Sequence, residues 1–195
     1  MDSDDRYRLI SGCYATDAKS LAINNAAAFW GQTWWRLMWE GRSLQDMTNA
    51  MELRAPRNLH TQINVRRHET IVNREGEIVG YARWILPESL AHEWLSAKTV
   101  AVSDDDIATF QKSHERADWK ATRDTSALDA PVEAAMEKYR PREPHIKLDY
   151  LAVHPAHQRC GVASKLLSSG LEHIERLQVK CFVMANSKHS LQLYQ

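Results

Sequence analysis

Apolar and polar positions alternate loosely along residues 6–14, which predicts a first strand. Thr16, with Lys19 three residues on, stands where an N-cap would open a helix over roughly residues 17–29. Residues 29–41 carry Trp30, Trp34, Trp35 and Trp39, four of the seven tryptophans, at the i, i+4, i+5, i+9 spacing of one helical face. That spacing predicts a helical aromatic stripe that packs a core or lines an apolar pocket. Few basic residues interleave with the rings, so stacking on nucleic acid is disfavoured. Ser43 with Asp46 three residues later has the form of a capping box opening a second helix, bounded on its far side by Pro56.

From residue 68 to 86 the pattern shortens to β-rich runs around Arg74-Glu75-Gly76, which predicts a hairpin. Gly80 inside its second strand points to a bulge or to close packing, and Pro87 ends it. Residues 88–144 contain no glycine and many charges. Val132, Ala135, Met136 and Tyr139 take helical spacing after a predicted N-cap at Asp129, so this stretch reads as a mostly helical, solvated insert. Asp104-Asp105-Asp106 fits a charge cluster at a helix N-terminus better than a metal site. The last third reads as strand (145–155), helix with Val162, Leu166, Leu167, Leu171, Ile174 and Leu177 on one side, buried strand (179–185), and a final helix capped by Ser187 and running through Tyr194. The order is that of an α/β fold in a single domain spanning residues 1–195.

With 195 residues, 44% hydrophobic and 26% charged, the chain can bury one core. Twenty-five basic residues balance twenty-five acidic ones, which argues against a nucleic-acid partner. The first eight residues are polar and acidic rather than basic and then apolar, so no secretion signal is expected, and no apolar run is long enough to span a membrane. Three widely spaced cysteines, Cys13, Cys160 and Cys181, fit neither a disulfide framework nor a metal cluster, and a reduced cytoplasmic setting follows as the expectation.

The chemistry gathers between the strand ending at Val153 and the helix starting near Val162. A helix N-terminus leaves its first backbone N–H groups unpaired, with the positive end of the helix dipole behind them. Gly161 at the turn and the small Ala163 let an anion approach that backbone, and Arg159 adds a guanidinium at the mouth. Alone, such a turn is equally at home in a purely structural role.

In context, Leu151-Ala152-Val153-His154-Pro155, followed after two residues by Gln158-Arg159-Cys160-Gly161-Val162-Ala163, resembles the GCN5-related N-acetyltransferase (GNAT) family's central strand and Q/R-x-x-G-x-G/A turn. The later Ala185-Asn186-Ser187 and Leu193-Tyr194 resemble that family's N…LY segment, and the good match covers roughly residues 145–195. The resemblance implies a mixed, mostly antiparallel central sheet flanked by helices, and an acetyl-CoA-dependent N-acetyltransferase. Leu151, Ala152 and Val153 would line the pantetheine arm, while Gln158, Arg159, Cys160, Gly161, Val162 and Ala163 would hold the pyrophosphate. Asn186 would contact the cofactor, and Tyr194 would act as general acid toward the CoA sulfur. A base is less defined: Lys147 stands where relatives place Glu or His, and Asp149, two residues before Leu151, is expected on the same strand face, either as proton acceptor or as an ordinary ion-pair partner. No metal is implied.

Family members continue past the LY element with two more strands, whereas this sequence ends at Gln195. A sheet lacking those strands is therefore expected. That departure keeps a second class open, a non-catalytic acyl-CoA-binding or interaction domain. The acceptor, a small-molecule or peptide amine, is not named by the sequence.

Overall fold

Short strand β1 (Arg8–Ser11) precedes three helices, α1 (Ala18–Trp30), α2 (Thr33–Met38) and α3 (Leu44–His60). The hairpin β2 (Arg66–Val72) and β3 (Ile78–Ile85) follows, then α4 (Asp104–Arg116), α5 (Ser126–Tyr139), β4 (His145–Val153), α6 (Val162–Leu177), β5 (Lys180–Val183) and α7 (Lys188–Leu193). The computed structural model of the protein describes residues 6–194; the acidic start at residues 1–5 and Gln195 lie outside the described residues.

The five strands form one sheet in chain order, antiparallel from β1 to β4, with β5 added parallel to β4. Helix α6 covers one face through Val162, Leu166, Gly170 and Ile174, a buried stripe at four-residue spacing. Those side chains pack with Ile71, Trp84, Ile146 and Leu148. Helices α1 and α3 cover the other face, where Leu21 and Leu59 meet Cys13, Val72, Ile78 and Tyr81. Gly80 is a point of close approach between sheet and α6: a Cβ there would lie 2.5 Å from Val162 Cγ1. Among the described residues β5 is the last strand in the sheet order and pairs with β4.

Several expectations shift. The tryptophan stretch is not one helix: α1 ends at Trp30, Gly31 and Gln32 turn the chain, and α2 starts at Thr33. Trp35 and Trp39 are buried while Trp34 stays exposed. Thr16 is not a cap; it lies inside a short 3-10 turn closed by the Tyr14 N–H donating to Asp17 at 2.7 Å. The Ser43–Asp46 capping box opens α3 as expected, but Pro56 sits inside the helix rather than bounding it. Proline removes one backbone hydrogen bond at a cost of about 3 kcal/mol; the apolar burial of α3 against its neighbours, Met47 and Leu59 included, offsets it.

The 88–144 segment is helical, but α5 begins at Ser126, with Asp129 in its first turn rather than at the cap. The triple aspartate opens α4 behind a Ser103–Asp106 capping box. The segment is less detached than its charges suggested. Trp94 and Ala97 are buried in the α6 core, and fully buried Arg67 donates to the carbonyls of Ala91 and Glu93, tying this connector to β2. No helix among the described residues is long and apolar enough to cross a membrane.

Candidate functional site

Parallel pairing between β4 and β5 runs only from His145–Lys180 to Leu148–Val183. Beyond it the ladder ends, and residues 149–153 and residues 184–186 form two arms that do not pair with each other. The His154 N–H donates to the Val79 carbonyl on the β3 side. By strand alternation, Ala152 also faces β3, whereas Leu151 and Val153 direct their backbone groups into the opening. The Gln158 side-chain amide donates to the Val153 carbonyl at 3.2 Å, as this orientation requires. An extended, hydrogen-bonding chain can add to such an edge as a further strand would.

At the end of that arm the backbone turns through Arg159 (φ 59°) and Gly161 (φ 81°) into α6. Gly161 is the N-cap, and no described side chain caps the helix's first turn. Nothing lies within 4 Å of where a Gly161 Cβ would stand, so the glycine is required by its left-handed backbone rather than by crowding. The Val162 side chain is buried beneath the helix, which leaves its backbone N–H as the group it can offer. Arg159 and Cys160 are exposed. The turn is held from below: the Tyr7 hydroxyl meets His157 Nδ1 at 3.0 Å and Lys165 Nζ donates to the Tyr7 carbonyl at 2.8 Å.

Asn186 lies on the second arm, where its side-chain oxygen accepts from Ser190 Oγ at 3.2 Å. Tyr194, half-buried after the end of α7, packs against the same core as Leu151 and Val153. Burial first, then the nearby Cys181 thiol, pushes its phenol above the ordinary value, so it stays protonated at neutral pH.

Asp149 departs from its expected position. The β3–β4 register slips between Arg83–Tyr150 and Trp84–Leu148, making Asp149 the extra residue of a bulge. After the slip Leu151 packs toward α6, whereas Asp149 turns to the other face. Arg83 donates to it through Nε at 2.8 Å and Nη2 at 2.6 Å, and Lys147 Nζ at 2.7 Å. Burial alone would raise its pKa; Arg83 and then Lys147 outweigh that and hold it below the usual carboxylate value. With both oxygens engaged and affinity for a proton reduced, Asp149 is a poor base. A depressed folded pKa stabilises the fold above the unfolded value near 4, and that contribution is lost as pH falls through the folded one. Asp149→Asn is therefore expected to cost about 1–3 kcal/mol at pH 7, with the difference from the parent closing in urea unfolding as pH falls below the ordinary carboxylate range.

On that second face the sheet floor, α1, α2 and α3 enclose a cavity of about 250 Å³. Tyr81, Arg83 and Tyr150 form its floor, and Phe29, Trp34, Trp35, Arg54 and Trp119 are among its walls. The aromatic stretch thus lines a pocket as well as packing a core. Tyr81 is set by His68, whose Nδ1 lies 2.9 Å from the phenol oxygen. Burial, then Arg83, lowers His68 to about 3, so the ring is neutral where it meets the Tyr81 hydroxyl. Trp119 comes from the 88–144 segment, and Arg42 secures its loop with a two-pronged pair to Asp118 at 2.5 and 2.7 Å. The Thr122 N–H also donates to the Met38 carbonyl at 3.0 Å.

Neither arginine nor Trp119 was singled out from the sequence. Arg83 had a signal, a lone charge within the apolar strand run GYARWIL. Arg54 had a weaker one, falling at i+7 from Met47 on the inner helical face. Trp119 had none, since its placement depends on the loop's pairing with Arg42. Among the described residues no group of three His, Cys, Asp or Glu could hold a metal ion.

A forked sheet, an uncapped helix N-terminus at one arm and an aromatic pocket on the opposite face are the features of an acyltransferase scaffold. Residues 32–195 match the profile of the acetyltransferase (GNAT) family, and the chain belongs to that family. Its fold is similar to that of histone acetyltransferase HPA2 and related acetyltransferase from Corynebacterium glutamicum ATCC 13032, with 19% identity over 97% of this chain and 82% of that one and a TM-score of 0.54. A transcriptional regulator from Bacillus halodurans C-125 aligns over 96% of this chain and 89% of its own at 12% identity, TM-score 0.50. A GNAT family acetyltransferase from Brucella melitensis, in complex with acetyl-CoA, aligns over 97% and 82% at 12% identity, TM-score 0.45. No curated protein matches the chain in sequence.

Proposed function

We propose that the protein is an acetyl-CoA-dependent N-acetyltransferase acting on a small amine. The observation that carries this reading is the juxtaposition on β4: an edge without a partner strand at Leu151 and Val153 leads to the α6 N-terminus, which no described side chain caps, and Tyr150 on the same strand floors a pocket on the opposite face. The residues present fit the donor. Leu151 and Val153 can pair with an amide-bearing arm, and the first-turn N–H groups of Val162 and Ala163, with Arg159, can take a pyrophosphate. Acetyl-CoA supplies an acetyl group activated as a thioester.

In the transfer a nitrogen–carbon bond forms as the carbon–sulfur bond breaks. Tyr194, kept protonated by burial, gives the departing sulfur its proton. The amine proton leaves to water, because Asp149 is held by Arg83 and Lys147. Asp149 serves to position Arg83 in the pocket floor.

Release of CoA from acetyl-CoA across an amine library tests the reading. CoA binding with no turnover on any amine would sink it in favour of a non-catalytic acyl-CoA-binding domain. Binding itself is tested at Gly161. A β-branched residue is a genuine outlier at φ 81°, so Gly161→Val is expected to distort the turn and weaken CoA binding by about 1–3 kcal/mol. Calorimetric titration giving an unchanged affinity, with far-UV circular dichroism unchanged, would remove the turn from the donor site.

A further inference from the structure

The pocket is equipped with donors, and one of its two arginines has no counter-anion among the described residues. Arg54 and Arg83 line it, and among the described residues no Asp or Glu does. Arg83 is already paired with Asp149, whereas Arg54 has no ion pair among the described residues: its guanidinium lies 4.8 Å from the Trp119 ring centroid, and burial and then the charge of Arg57 lower its pKa. Partly buried cations without a carboxylate are costly unless a ligand supplies one. Asn25 adds to the set. It is buried in the pocket lining, and its side-chain oxygen accepts from Asn24 at 2.9 Å. The Tyr81 and Tyr150 phenols are pushed up by burial and remain protonated.

The rest of the wall is flat and apolar. Phe29, Trp34, Trp35 and Trp119 present ring surface, with Phe29 5.1 Å from Tyr150 between centroids. The volume, about 250 Å³, is at or below the small end of ligand pockets, roughly 300–1,000 Å³. A large polycation would meet two guanidinium groups and no compensating carboxylate.

We propose that the acceptor is a small primary amine carrying a carboxylate and a large apolar or aromatic body, the simplest members being aromatic amino acids. Arg54 takes the carboxylate and the aromatic walls take the body. This assignment rests on reading the pocket as the acceptor site of an acetyltransferase.

The experiment compares phenylalanine with 2-phenylethylamine, which differ only in the carboxylate, and with a polycationic aminoglycoside. Each is titrated calorimetrically into the CoA-saturated protein, and CoA release from acetyl-CoA is followed separately. Phenylalanine is expected to bind about 10-fold or more tightly than 2-phenylethylamine, the size of a charge-assisted hydrogen bond. Arg54→Gln should bring that ratio close to one, and Arg54→Lys should restore part of it. Equal or tighter binding of 2-phenylethylamine or the aminoglycoside, a ratio that Arg54→Gln leaves unchanged, or no binding of any of the three overturns the proposal. The two readings fail separately. A carboxylate-dependent ratio without CoA release keeps the pocket chemistry and removes acetyl transfer, whereas acetylation of the amines lacking a carboxylate keeps acetyl transfer and removes the proposed acceptor.

Discussion

Tyr194→Phe is expected to lower kcat by about 10²-fold or more while leaving the Kd for CoA within about twofold of the parent's. The phenol is useful only when the sulfur takes on charge, so its loss falls on the transition state and not on the bound complex. Burial and the Cys181 thiol raise its pKa, keeping the proton available across the neutral range. Phenylalanine retains the ring that packs against the α6 core, so the end of the chain should stay in place. Single-turnover rates and CoA titrations on the same preparation separate the two effects. Weaker CoA binding with kcat preserved would make Tyr194 a packing residue and place the proton donor elsewhere.

The second large effect concerns stability. On α6, a Cβ at Gly170 would come within 2.1 Å of Trp84 Cζ2. Trp84 is 1% exposed, and Trp94 lies against it with ring centroids 5.9 Å apart, so the indole cannot step aside. Alanine would gain roughly 0.5–1 kcal/mol of backbone preference in a helix. Overpacking of a filled core costs typically 1–3 kcal/mol and sometimes more, and a 2.1 Å approach to a fixed ring belongs at the upper end. Gly170→Ala should therefore be destabilising by about 2 kcal/mol net, a fall in Tm of roughly 4–8 °C for a chain of this size. Gly31 supplies the control. Its φ is −72° and nothing lies within 4 Å of its Cβ position, so Gly31→Ala should be neutral or stabilising by up to about 1 kcal/mol. Thermal unfolding in which both variants behave alike would mean that α6 does not seat on Trp84 as described.

Much of the proposed donor side is legible in the sequence as structure because it is local. The turn at Gly161, the amphipathic run from Val162 and the cap at Ser187 each depend on residues a few positions apart. The hairpin was legible for the same reason, its turn chemistry lying in three consecutive residues. The face of Asp149 was not. Alternation placed it with Leu151, and one slipped residue in a ladder 66 positions away in the chain reversed that. The pocket was legible only in outline: the tryptophans announced an aromatic surface, yet Gly31 and Gln32 divide the run and direct its rings to different depths. Arg54 and Trp119 meet across 65 positions, a pairing that no local pattern encodes.

The division of β4 has an evolutionary reading. Its open edge borders the proposed donor site, drawn from residues 151–194, while the pocket on its other side is built mainly from residues 21–59 and one tryptophan of the 88–144 segment. On the proposed function, the residues that choose an acceptor and those that hold the common donor are inherited on separate stretches of chain that meet at a single strand. Drift among the helical aromatics and Arg54 can move the enzyme from one acceptor to another while selection keeps the donor half unchanged.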